Sequence, residues 1–191
     1  ILEFGHNDQK ADGHVGNGAY YAFSHQVKQI LDQCRAKGAT FIICTPTMRR
    51  SFEGNVVVNT HKDYPAAVRD IAKREGLLCI DLQDMTKAFY EAMGPEKSTQ
   101  AFVHYPANTW PDQPKALADN THFNPYGTLV EEVASAGNVS VVQAISQSNL
   151  DDLKKHISDD FKGFNPALPD PVESFKWNNS PFVNMTKPDG N

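Results

Sequence analysis

The chain has 191 residues, 40% of them hydrophobic and 21% charged, enough apolar material for one domain with a buried core. Its formal net charge of -5 sets up a field that attracts neither nucleic acid nor an anionic membrane surface. No apolar run approaches the roughly 20 residues of a membrane-spanning helix. The three cysteines (Cys34, Cys44, Cys79) lack CxxC spacing and a histidine cluster, so neither a zinc site nor a disulfide framework is expected.

Residues 1–4 (ILEF) read as a strand that starts without methionine or lead-in, so a segment ahead of Ile1 is expected. A Gly/Asn/His-rich loop leads to a helix over residues 20–37, with Phe23, Val27, Ile30, Leu31 and Cys34 at helical spacing and Gly38 as its stop. Residues 40–45 (TFIICT) are β-branched and apolar and end at Pro46, after which a loop is predicted. Asp63-Tyr64-Pro65 marks a helix start with proline in the first turn; Val68, Ile71 and Ala72 face inward and Gly76 ends it. Residues 77–81 (LLCID) are the third strand. Leu82, Met85, Phe89 and Met93 then form a helical stripe closed by Gly94, a core face rather than a cofactor site.

Residues 94–118 hold four prolines with His104, Tyr105 and Trp110, and read as a long loop of the kind that is functional or mobile. Asn124-Pro125 opens a helix through residue 135 with Leu129, Val130 and Val133. Residues 139–145 are ambiguous between helix and strand, and Ser148 caps a helix bearing Leu150, Leu153 and Ile157. Residues 1–160 thus form one α/β unit. Residues 161–191, rich in Pro and Asn, are expected to be an extended tail pinned on it by Phe164, Phe175, Trp177 and Phe182.

The βαβαβ order predicts a parallel sheet, and the unbroken apolar strands suit burial on both faces. Two crossovers stepping the same way put both helices on one face. The other face must then be covered by the late helices or by elements ahead of residue 1, which would also pair with the edge of residues 1–4. The pattern is that of a doubly wound sheet lacking its first strands.

Ligands of open α/β sheets bind beyond the carboxyl ends of the strands. Three segments converge there: GHND after the first strand, PTMRR after the second, and ADNTHFNPYG at residues 118–127. Asp119 and His122 have the spacing of a carboxylate that orients an imidazole base. Asn7 can aim its amide N–H at a developing oxyanion or serve as a turn residue. His6 and Asp8 either contact substrate or hold the loop. Arg49 and Arg50 either grip acidic sugar carboxylates or stand solvated. Trp110 and Tyr105 either stack on sugar rings or pack within their loop. Ser24 and Ser51 read as capping or surface residues, and His14, His61 and His104 receive no role. Asn138, Asn179 and Asn184 open glycosylation-type triplets.

FGHND and DNTHFNPYG resemble the third and fifth sequence blocks of the SGNH (GDSL) hydrolases, in the rhamnogalacturonan acetylesterase-like branch. The segment PTMRRSFEGNVVVNTHKDYPAAVRDIAKREGLLCIDL is similar to that branch as well. The resemblance implies a flavodoxin-like three-layer αβα fold, no cofactor or metal, and removal of acetyl groups from a pectic polysaccharide or oligosaccharide. Asn7 then corresponds to an oxyanion donor, Asp119 to the orienting acid and His122 to the base. The family's Gly-Asp-Ser nucleophile motif occurs nowhere in this chain. The serine is therefore expected upstream of residue 1, in the same protein, a separate chain or a swapped copy, and the chain alone is expected to be inactive. The contrasting expectation is a carbohydrate-binding or scaffold module that keeps the fold without chemistry. Family resemblance also implies a secreted or periplasmic location.

Overall fold

A computed structural model describes residues 1–11, 18–124, 138–157, 159, 163, 165–169 and 171. Three parallel strands, β1 (Leu2–Glu3), β2 (Ile42–Cys44) and β5 (Leu78–Ile80), lie side by side in that order. Leu2 pairs with Ile43, and Ile43 with Cys79. Helix α1 (Ser24–Ala36) follows a π-helical turn at Ala19–Phe23, and α2 (Tyr64–Glu75) has Pro65 in its first turn. Gly76, at φ 64, ends α2 in the left-handed region that a residue with a Cβ resists.

Alternation along β2 assigns its side chains to opposite faces. Ile43 joins Phe23, Val27, Val68, Ile71 and Ala72, so α1 and α2 share one face. Ile42 and Cys44 join Ile80 and Leu82 on the other, with Ala144 and Leu150 packed against them. Ala144 belongs to α4 (Asn138–Gln147), the helix into which the ambiguous residues 139–145 resolve. The late-helix cover expected for that face is therefore present, and the layers are α, β, α. Burial pushes the Cys44 thiol up to about 12 and that of Cys79 up to about 11, as suits small apolar side chains rather than reactive ones. Among the described residues no helix is long and apolar enough to cross a membrane.

Three expectations need correction, and a fourth, the end of the Leu82 stripe, holds. The loop after Pro46 contains a small antiparallel hairpin, β3 (Phe52–Glu53) with β4 (Val56–Val57), turned by Gly54 at φ 62. The stripe from Leu82 is interrupted at Gly94 as expected, because φ 78 and ψ 169 are not helical there; a further turn beyond it carries α3 (Leu82–Lys97) to its end. Residues 94–118 are not a structureless loop. After a 3₁₀ turn at Ser98–Ala101 they supply β6 (Phe102–Tyr105) and the start of β7 (Leu117–Phe123), which pair antiparallel. The polar run LADNTHF carries no strand signature; its pairing is set by packing. Phe102 and Phe123 stack at 4.8 Å, and Tyr90 of α3 meets Phe102 edge-on at 5.2 Å. Lastly, Ser148 is not the cap of a long helix: its hydroxyl accepts from the Leu150 N–H, ahead of a single turn, α5 (Asp151–Lys154). The predicted helix over residues 125–135 and the aromatic anchors of the tail lie outside the described residues.

Candidate active site

The chain leaves β1 through Gly5, which is buried at φ +104 against Tyr64, Phe23 and Pro46. Its N–H donates to the Asp8 carboxylate at 3.0 Å, and Lys10 N–H donates to the Asn7 carbonyl, so the loop closes tightly. Asp8 is thus a loop-holding residue. The closure leaves Asn7 exposed, and among the described residues its side-chain amide has no protein partner.

The second wall comes from β7. Phe102 pairs with Phe123 and His104 with Ala118, so two steps along β6 face five along β7. The surplus residues loop out as a bulge between Asp119 and His122. Asp119 Oδ1 accepts from the Thr121 N–H at 2.6 Å and the His122 N–H at 3.0 Å, an Asx turn that brings both side chains to one side. Asp119 Oδ2 then lies 2.7 Å from His122 Nδ1. Burial opposes ionisation of Asp119, yet hydrogen bonds from the His122 ring and the two backbone N–H groups outweigh it and hold the carboxyl down at about 2. A carboxylate on Nδ1 places that proton there and leaves Nε2 as a bare acceptor. The ring is 75% exposed.

An open cleft of about 650 Å³ joins the two walls, lined among others by His6, Asn7, Thr47, Leu82, Thr121 and His122. Asn7 and His122 therefore share one cavity, with Asp119 behind the imidazole. Arg49 and Arg50 do not line it; both guanidinium groups are engaged with protein acceptors. Trp110 is half-exposed in the β6–β7 connection, edge-on to Tyr105 at 4.4 Å. Ser24 is buried and donates to the Ala19 carbonyl at 2.6 Å, and neither it nor Ser51 lines the cleft.

With this geometry in hand, two relatives carry weight. Rhamnogalacturonan acetylesterase RhgT of Bacillus subtilis is 37% identical over 158 residues, which is 82% of this chain and 64% of that protein. Over most of its length the chain is thus similar to a rhamnogalacturonan acetylesterase. The probable rhamnogalacturonan acetylesterase YesY of the same organism is 29% identical over 66% of this chain and 55% of its own length. The chain thus spans less than two thirds of either relative. The crystal structure of the YXIM protein of B. subtilis superposes with a TM-score of 0.57 at 23% identity, covering 78% of this chain and 36% of that one, a likeness of fold. No family model matches the chain.

One buried residue beside the cleft had no signal in the sequence. His61 has no exposed surface; its Nε2 lies 3.2 Å from His6 Nδ1, and the rings are 4.7 Å apart. Its Nδ1 has no partner among the described residues. We assign the His61 proton to Nε2, because a buried bare acceptor costs less than a buried unpaired N–H. Burial, aided by Arg49, lowers His6 to about 4 and His61 to about 3, so both are neutral at pH 7. A lone histidine in a loop carries no sequence signal for such a contact.

Proposed function

We infer that this chain supplies the base, the orienting carboxylate and a side-chain oxyanion donor of a serine ester hydrolase that deacetylates carbohydrate. The serine comes from a segment ahead of Ile1, from a separate chain or from a swapped copy. One observation carries the reading: His122, held at Nδ1 by ionised Asp119, stands in the same cleft as the unpartnered amide of Asn7.

The chemistry follows. As the serine Oγ attacks the acetyl carbonyl, His122 Nε2 takes its proton, and Asp119 stabilises the imidazolium. The carbonyl oxygen becomes an oxyanion that the Asn7 N–H meets; one such donor is worth about 3–4 kcal/mol of barrier. Collapse breaks the bond to the sugar oxygen, which receives the proton from His122. Water then repeats the sequence on the acyl-serine, releasing acetate. The relatives' names support an acetylated pectic sugar as substrate. Trp110 in the β6–β7 connection is one exposed aromatic available to stack on it, and Phe4 at the cleft is another. We further propose that the protein works outside the cytoplasm, secreted or periplasmic, where a pectic polysaccharide would be met, and cell fractionation checks this.

The test uses the protein extended by its own upstream reading frame. That protein hydrolyses p-nitrophenyl acetate, and His122→Ala lowers kcat by about 10³- to 10⁴-fold. Unchanged turnover in that variant would end the assignment. No serine lines the cleft among the described residues, so a second reading, a carbohydrate-binding module, stands beside the first. An upstream frame without Gly-Asp-Ser decides for the module.

A further inference from the structure

The two arginines that follow β2 reach in opposite directions, and each guanidinium meets an oxygen of a residue next to a candidate active-site residue. Arg49 Nη2 donates to the His6 carbonyl, one residue before Asn7. Its Nη1 donates to Thr60 Oγ1 at 3.1 Å and stands 3.4 Å from the Thr60 carbonyl. Arg50 turns to β7: its backbone N–H donates to the Asn120 carbonyl at 2.8 Å and its Nη1 to Asn120 Oδ1 at 2.6 Å. Asn120 lies between Asp119 and His122, inside the bulge. The remaining guanidinium nitrogens of Arg50 reach Ser98 Oγ at 3.0 Å and the Pro95 carbonyl, and the group stands 5.8 Å from the Phe52 ring centre. The preceding residue is anchored too. Met48 N–H donates to Thr86 Oγ1 at 2.9 Å and Tyr90 Oη donates to the Met48 carbonyl at 3.1 Å, both within buried α3 packing.

We propose that Arg49 and Arg50 are positioning residues, a two-armed brace that sets the separation between Asn7 and the Asp119–His122 pair. The proposal rests on the hydrolase reading for its catalytic consequence, while the geometry stands without it. A planar guanidinium can hold three acceptors at once; an ammonium in its place cannot span them. A sugar carboxylate would have to displace protein acceptors from Arg50, and neither arginine lines the cleft. The pair therefore acts on the walls and not on substrate. Misplacing a donor or base by about 1 Å costs about 100-fold in rate, so a slack brace appears in kcat.

Two variants, Arg50→Lys and Asn120→Ala, test one arm from both ends; Arg49→Lys tests the other. In the 191-residue chain, ¹⁵N NMR of the His122 imidazole reads the Nδ1–H bonded to Asp119. The Arg50 and Asn120 variants are expected to broaden or lose that signal while the thermal unfolding transition persists. In the longer, serine-bearing protein, Arg50→Lys and Arg49→Lys lower kcat on p-nitrophenyl acetate by about 10- to 100-fold with KM unchanged. A brace acts equally on this small neutral ester and on a pectic substrate. Loss confined to KM for acidic oligosaccharides, with p-nitrophenyl acetate untouched, would make the arginines a substrate clamp and overturn the proposal. An unaltered imidazole signal in both Arg50→Lys and Asn120→Ala would overturn it as well. Failure of the hydrolase reading shows separately, as wild-type turnover indifferent to His122→Ala; the imidazole signal still decides the brace.

Discussion

Lowering the pH from 6.5 to 4.5 should destabilise this chain through two specific rings. His61 is buried without exposed surface, and its neighbour His6 is within 3.2 Å. Burial comes first in lowering both, Arg49 second; Lys10 and His122 add to the effect on His6, and His6 to that on His61. The folded values are about 4 and about 3. Unfolded histidine titrates near 6.5. Between those limits the unfolded chain binds two protons that the folded chain refuses, so stability is complete above about pH 6.5 and falls as pH drops toward the folded values. Each proton is worth about 1.4 kcal/mol per pH unit. Over two units the pair removes on the order of 2–5 kcal/mol, the lower end allowing for the partial exposure of His6. That is a large share of the roughly 5–15 kcal/mol that holds a domain together. Urea unfolding followed by circular dichroism at several pH values measures the slope. His61→Gln keeps an N–H within reach of His6 Nδ1 but removes one titration, so the slope should halve. Equal slopes in wild type and His61→Gln would refute the reasoning, since His61 would then be protonated as easily folded as unfolded.

Asp119→Asn keeps an oxygen for the Asx turn but sets an amide N–H against the ring, favouring the wrong tautomer. In the serine-bearing protein kcat should fall by about 10²- to 10⁴-fold, read on p-nitrophenyl acetate. Gly5→Ala forces a Cβ into a φ of +104 beside Tyr64 and Pro46; thermal unfolding should show a loss of about 1–3 kcal/mol. Trp110→Ala should raise KM for an acetylated pectic oligosaccharide and leave p-nitrophenyl acetate kinetics as they are. The 191-residue chain by itself should show no turnover of p-nitrophenyl acetate in a spectrophotometric assay; robust turnover would reveal a nucleophile within it.

Sequence alone determined the elements whose signals are local. TFIICT and LLCID are continuous apolar runs because their strands are buried on both faces. Pro65 and Gly76 bracket α2 because each needs its own backbone angle. The spacing of Asp119 and His122, and Asn7 two residues past Gly5, were legible for the same reason: the chemistry sits in residue types a few positions apart. Tertiary structure decided what depends on residues far apart in the chain. The strand LADNTHF exists because β6 pairs with it and aromatic packing on α3 holds the hairpin, although its own composition is that of a loop. Arg49 and Arg50 are adjacent and chemically alike, and only the surroundings send one to His6 and the other to Asn120. His61 contacts His6 across the fold, a contact that no local periodicity encodes. Period and capping are properties of a short stretch of backbone, whereas a cleft is made where distant stretches meet, and only packing brings them there.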